Sequence, residues 1–197
     1  MSLSASFLDR IDALYRRFMQ HDAQQSDRIK RYRNIEPDSA QYIAMLIRIQ
    51  QSKKILEIGT STGYSTLWMA NAAQVTGGSV TTVEIDASRT EQAKNYAKAF
   101  ELDHLIDFWV GDAKDFIADH PQQYDLILLD AERHAYLSYW AQLPQLLNPK
   151  GGVLIVDNVI SHAAEVKSFI DEVKKDQRFM TTTLALGAGL FVITAKS

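Results

Sequence analysis

The chain opens with apolar residues at helical spacing. Leu3, Phe7, Ile11, Leu14 and Phe18 fall on one face, which predicts a first helix carrying a single apolar stripe. Such a stripe packs on its own subunit or on a partner subunit. A membrane-surface role is disfavoured, because the other face mixes Asp9 and Asp12 with Arg10, Arg16 and Arg17 and is not uniformly basic. A polar stretch punctuated by Pro37 follows, and a helical run covers 42–49. From Lys53 the pattern changes. Short apolar runs at 55–58, 79–85, 106–110, 125–129 and 153–156 alternate with segments of helical period at 65–73, 88–100, 113–119, 136–147 and 163–175. Strands alternating with helices of this length predict βαβ units around a mostly parallel sheet. The end differs: TTTLAL, then GAG at 187–189, then LFVITA. Two strands joined through Gly187 and Gly189 predict an antiparallel hairpin that closes a seven-stranded, Rossmann-like α/β fold. The organisation expected is one domain over 1–197, with a helical cap at 1–50 and an α/β core at 51–197.

Composition narrows the class. With 46% hydrophobic and 23% charged residues in 197, the chain is an ordinary globular sequence, which rules out a disordered chain, a collagen or a membrane bundle. Twenty-one basic against 24 acidic residues give a net charge of −3, which disfavours a generic polyanion binder. Cysteine is absent, so disulfides, thiolate metal sites and cysteine nucleophiles are excluded. No run approaches the roughly 20 apolar residues of a membrane span, and no secretory signal opens the chain. A cytoplasmic protein is expected.

In an open parallel sheet, ligands bind at the carboxyl ends of the strands. After the first strand stands LEIGTSTGYST (56–66), with Gly59 and Gly63 four apart where a strand turns into a helix. Glycine there lets backbone approach a ligand closely. The turn is neither a Walker loop nor Gly-x-Gly-x-x-Gly, so a dinucleotide site is disfavoured. Glu84 ends the second strand, placed to accept both hydrogen bonds of a ribose diol or to stand solvated. Asp112, after the third, either meets an adenine edge or caps a helix. Asp130 ends the fourth strand, and Asp157 with Asn158 ends the fifth. If those strands are neighbours, two carboxylates and an amide converge, a set that suits a hard cation such as Mg²⁺, Mn²⁺ or Ca²⁺.

LEIGTSTGYST, VEID, GDA, LLDAERHAY and VDN, in this order and spacing, resemble the cation-dependent class I O-methyltransferases, which include the catechol and caffeoyl-CoA O-methyltransferases. The resemblance covers about 30–197. It implies that Glu57, Gly59, Ser61, Gly63 and Ser65 surround the amino-acid part of S-adenosylmethionine (SAM). It further implies that Glu84 holds the ribose, and that Asp112 and the backbone of Ala113 meet the adenine. Asp130, Asp157 and Asn158 would ligate the divalent cation, Mg²⁺ with Mn²⁺ or Ca²⁺ as alternatives, and Asp130 would also border the cofactor. Ile35 sits where the family closes a loop over SAM. A homodimer and a small-molecule acceptor with adjacent oxygens are implied as well.

One position departs from the family pattern. A lysine proposed as general base stands three residues after the first metal aspartate in the best-known members; here it is Arg133. A guanidinium stays protonated in proteins, so Arg133 as a catalytic residue would stabilise an oxyanion or grip an anion, not take a proton. Deprotonation then rests on the cation, or on His134 or His162, histidine being the side chain that titrates near neutrality. Two alternatives remain open. RIKRYR (28–33) offers four basic residues for tRNA phosphates, against the acidic balance of the whole chain. A SAM-binding protein that has lost catalysis is the other.

Overall fold

The computed structural model describes residues 5–27 and 30–196. Helices α1 (Ala5–Gln24) and α2 (Pro37–Gln50) precede an alternating series. That series runs β1 (Lys54–Ile58), α3 (Tyr64–Thr76), β2 (Ser79–Glu84), α4 (Ala87–Ala99), β3 (Ile106–Val110), α5 (Ala113–Asp119) and β4 (Leu126–Leu129). It continues with α6 (Tyr136–Trp140), α7 (Leu143–Leu146), β5 (Val153–Val156), α8 (Ala163–Lys175), β6 (Phe179–Leu184) and β7 (Leu190–Ala195). The seven strands form one sheet in the order β3-β2-β1-β4-β5-β7-β6. The first five are parallel, and β7 lies antiparallel between β5 and β6, as the closing hairpin predicts. The chain winds outward from β1 to β3 and then returns to lay β4 on the other side of β1. That reversal opens a crevice above the carboxyl ends of β1 and β4.

Side-chain alternation along each strand divides the core. Ile55, Leu126, Leu128 and Ile155 face α1 to α4, whereas Leu56, Ile58, Ile127, Leu129, Leu154 and Val156 face α5 to α8. The first-helix stripe is consumed within this chain. Phe7 meets Trp68 and Phe100 edge-on at 5.3 and 5.8 Å, and Phe18 meets Tyr96 at 5.3 Å. Phe7, Ile11, Leu14 and Phe18 are all buried, each worth about 1.5–3 kcal/mol of apolar burial, so this face is not a partner surface. Leu3 lies outside the described residues.

Two helices differ from expectation. The second begins at Pro37, five residues earlier than its apolar period, because proline at the first helical positions lacks only an N–H that has no partner there anyway. The single helix expected over 136–147 is two short ones, since Pro144 cannot donate in a helix interior and is tolerated only in the first turn of α7. The hairpin loop has a structural duty. The carbonyls of Ala188 and Gly189 accept from the N–H groups of Val159, Ile160 and Ser161 at 3.0–3.1 Å, holding the loop that follows β5. A Cβ on Gly189 would lie 2.7 Å from the Ile160 nitrogen, so glycine is what permits this clamp.

Candidate active site

Backbone pairing continues past the strand ends as a staircase. Gly59 N–H donates to the Val83 carbonyl at 2.9 Å, Asp130 N–H to Ile58 at 2.9 Å, and Asp157 N–H to Leu129 at 3.2 Å. Asp130 and Asp157 are thereby locked level on adjacent strands. Gly59 has φ +105°, and a Cβ there would fall on the Asp130 carbonyl oxygen, so its lack of a side chain sets how closely β1 and β4 exit together. Gly63 serves packing instead, with Ala93 of α4 against the position a Cβ would take.

The turn after β1 is fastened to the turn after β2. Ser61 N–H donates to one oxygen of Glu84 at 2.8 Å, and Asp86 N–H donates to the other at 3.0 Å. Each Glu84 oxygen keeps a further lone pair, and the residue lines the cavity. Asp112 caps α5 by accepting from Lys114 N–H at 2.8 Å, and with Ala113 it also lines the cavity, so both readings of that residue hold geometrically.

The cavity has a volume of about 650 Å³, within the range of small-molecule sites. Gly59, Ser61, Glu84, Asp112, Ala113, Asp130, Arg133 and Asn158 are among its lining residues, together with His134 and His162. Ile35, Glu57, Gly63, Ser65 and Asp157 stand behind that wall. Glu57 is 0% exposed. The hydroxyl of Ser65 donates to it, as do those of Thr66 at 2.5 Å and Thr82 at 2.6 Å. Burial pushes its carboxyl up to about 7 despite those donors. Glu57 therefore braces β1 against α3 and β2 beneath the glycine turn.

A strap over 30–35, where the resemblance places a closing loop at Ile35, borders one side, and the contacts that fasten it were not disclosed by the sequence. Asp22 accepts from the N–H groups of Tyr32 and Arg33 at 2.8 and 3.0 Å. Burial alone would raise the Asp22 carboxyl, but these two donors hold it below the usual value. The Tyr32 ring stacks on His21 at 3.8 Å, and its carbonyl accepts from Ser61 Oγ at 2.7 Å. Asn34 Nδ2 donates to Thr62 at 3.0 Å, and Ile35 anchors the strap in the core. Of the basic stretch, Arg28 and Ile29 lie outside the described residues. Arg31 bonds the Gln25 carbonyl, and Arg33 pairs with Glu132 at 2.9 Å. Ten or more residues separate Asp22 from its partners, and no local spacing signals such a contact.

Asp130, Asp157 and Asn158 converge. Asn158 Nδ2 donates to Asp130 Oδ1 at 2.9 Å and to Asp157 Oδ2 at 3.1 Å. Asn158 adopts φ +67°, a left-handed conformation that asparagine tolerates. Asp157 Oδ1 is buried and meets no hydrogen-bond partner among the described residues. Burial raises both carboxyls, with charge repulsion adding from Glu57 on Asp130 and from Asp130 on Asp157. Among the described residues no three His, Cys, Asp or Glu side chains gather, so the third donor here is an amide. Rotating that amide about χ2 exchanges Nδ2 for Oδ1 at one position. The set thus fits a hard cation: it is all oxygen, carries two like charges, and leaves one buried lone pair unserved.

A profile of the O-methyltransferase family matches residues 13–196. The chain belongs to the O-methyltransferase family. It is 30% identical to a catechol O-methyltransferase of Niastella koreensis over 64% of this chain and 58% of that protein. It is 32% identical to caffeoyl-CoA O-methyltransferase 2 of Zea mays over 78% of this chain and 60% of that protein. The chain thus spans about three fifths of the length of these two relatives. In fold it resembles an O-methyltransferase of Bacillus cereus in complex with SAH (S-adenosylhomocysteine), with TM-score 0.78 and 22% identity, covering 100% of this chain and 93% of that one. The O-methyltransferase of Streptomyces achromogenes involved in tomaymycin synthesis, in complex with SAM, gives TM-score 0.79 and 22% identity over 100% and 92%.

Proposed function

We propose that this chain, as one methyltransferase domain over 1–197, transfers the methyl group of SAM to a hydroxyl oxygen of a small molecule with adjacent oxygens. The observation that carries this reading is the convergence of Asp130, Asp157 and Asn158, with a buried and unpartnered Asp157 Oδ1, at the cavity beside the glycine turn. Those three side chains would hold a divalent cation, which when bound lowers the pKa of a neighbouring hydroxyl and fixes its direction. Glu84 presents carboxylate lone pairs for a diol, and Gly59 and Ser61 of the β1 turn line the same space. Arg31, Tyr32 and Arg33 of the strap border that end of the cavity. Asp130 belongs to both halves of the site, since its backbone is gripped by Ile58 and its side chain faces Asn158. Placement of donor and acceptor in one cavity supplies most of the rate gain in such a transfer.

Radiolabelled methyl transfer from SAM to catechols, caffeoyl thioesters, flavonoids and bulk tRNA, with Mg²⁺ and with EDTA, tests the reading. Labelling of a small acceptor that EDTA abolishes is expected. SAM binding without any labelling would favour a protein that has lost catalysis, and failure to bind SAM would overturn the reading outright. Among the described residues of the basic stretch, Arg31 bonds the Gln25 carbonyl and Arg33 pairs with Glu132, which does not favour tRNA.

A further inference from the structure

Arg133 opens the short 3₁₀ turn that leads from β4 into α6. Its side chain is only 9% exposed, yet it lines the cavity three residues beyond Asp130. One edge of the guanidinium is occupied: Nε donates at 2.8 Å to Oε2 of Glu165 on α8. Nη1 and Nη2 meet no hydrogen-bond acceptor among the described residues. The neighbouring guanidiniums differ. Arg33 gives its Nη2 to Glu132 at 2.9 Å, and Arg89 gives its Nη2 to the Arg31 carbonyl at 3.0 Å. Arg133 is therefore the cavity guanidinium whose side chain is largely enclosed by protein while its forked end stays open to the cavity.

The fork is left to cavity water, and a ligand that supplies two charged acceptors replaces that water with charge-assisted hydrogen bonds. Glu165 neutralises the guanidinium only in part, because its side chain is 50% exposed and screened by solvent. Asp130 faces the same space, but its carboxylate is engaged by Asn158. The planar fork matches a carboxylate with two parallel hydrogen bonds, a geometry that an ammonium group cannot offer. Resting on the methyl-transfer reading, we propose that Arg133 selects acceptors bearing a carboxylate near their two adjacent oxygens, as in dihydroxy aromatic acids. A small acid reaches a side chain this deep. A polymer phosphate would first meet Arg31, which is exposed and lines the cavity.

Calorimetry on the full chain saturated with SAH, in EDTA, tests the proposal without turnover. The probes are 2,3- and 3,4-dihydroxybenzoate, the isosteric 3,4-dihydroxybenzamide, and bulk tRNA as competitor. The wild type is expected to bind one of the acids at least about tenfold more tightly than the amide, the discrimination a charge-assisted bidentate pair provides. Arg133→Gln should erase that ratio, and Arg133→Lys, which keeps charge but not the fork, should leave an intermediate one. The same ratio is then read in kcat/KM with Mg²⁺, where the loss should fall mainly in KM. Equal binding of acid and amide by the wild type, or a ratio that survives in both variants, overturns the proposal. Displacement of the acid by tRNA, with tRNA affinity falling in Arg133→Gln, would assign the fork to phosphate instead and also overturn it. Failure of the wild type to bind SAH overturns the methyl-transfer reading and this inference with it, whereas SAH binding without acid selectivity overturns this inference alone.

Discussion

Glu57→Gln separates two opposing forces that act on one buried carboxyl. Complete burial disfavours the ionised form, and three hydroxyl donors, Ser65, Thr66 and Thr82, favour it; burial dominates and the group titrates at about 7 against an ordinary 4.5. The native state therefore holds a proton that the unfolded chain has lost between those two values. With the unfolded state binding fewer protons, stability falls as pH rises through this window. Full ionisation costs about 3.4 kcal/mol, of which about 2.5 kcal/mol falls between pH 5 and pH 8. Glutamine has the same shape and no charge, so the variant escapes this loss. Urea unfolding of both proteins in EDTA at pH 5 and pH 8 is the assay, and the quantity is the change in their stability difference. Glu57→Gln should gain about 2.5 kcal/mol on the wild type over that interval. Asp130, whose carboxyl Glu57 also pushes up, acts in the same direction. A flat difference between the two pH values would show the hydroxyl cage strong enough to keep Glu57 ionised throughout, and would refute the dominance of burial.

Three further outcomes follow from the site. Asp157→Asn removes one of two repelling buried carboxyls, so without metal at pH 8 it should be more stable than the wild type by on the order of 1–2 kcal/mol. It should also lose the stabilisation by Mg²⁺, about 2.7 kcal/mol at a hundredfold excess over Kd, that thermal unfolding should show for the wild type. Gly59→Ala drives a Cβ into the Asp130 carbonyl at a positive φ; a loss of about 3 kcal/mol or more in denaturant unfolding is expected, with weakened Mg²⁺ binding because Asp130 is displaced. Asp22→Ala strands the N–H groups of Tyr32 and Arg33, and calorimetry should show SAH affinity falling about tenfold while global stability drops by about 1–2 kcal/mol.

Much of the fold was legible because its signals are local. The short apolar runs at 106–110 and 153–156 and the helical periods at 113–119 and 163–175 coincide with β3, β5, α5 and α8. The break inside 136–147 was readable in principle from Pro144, which the apolar period masked. The strand-end residues were legible too, since a parallel sheet places its carboxyl ends on one edge and acidic residues stood at four of them. What periodicity could not show was which of those residues reach the cavity: Glu57 shares a motif with Gly59 and Ser61, yet strand alternation turns it inward under α3.

The sequence by itself determined the α/β alternation, the closing hairpin, the glycine turn and the oxygen-rich set at the ends of β4 and β5. Each is set by neighbours within a few residues or by a period along one strand. Only the tertiary structure decided that α1 spends its apolar stripe on α3 and α4, that Asp22 ties down a strap ten residues away, and that Glu165 occupies one edge of Arg133 and leaves its fork open. Such contacts join residues far apart in the chain, and hydrogen-bond direction and burial exist only once the chain has folded around them.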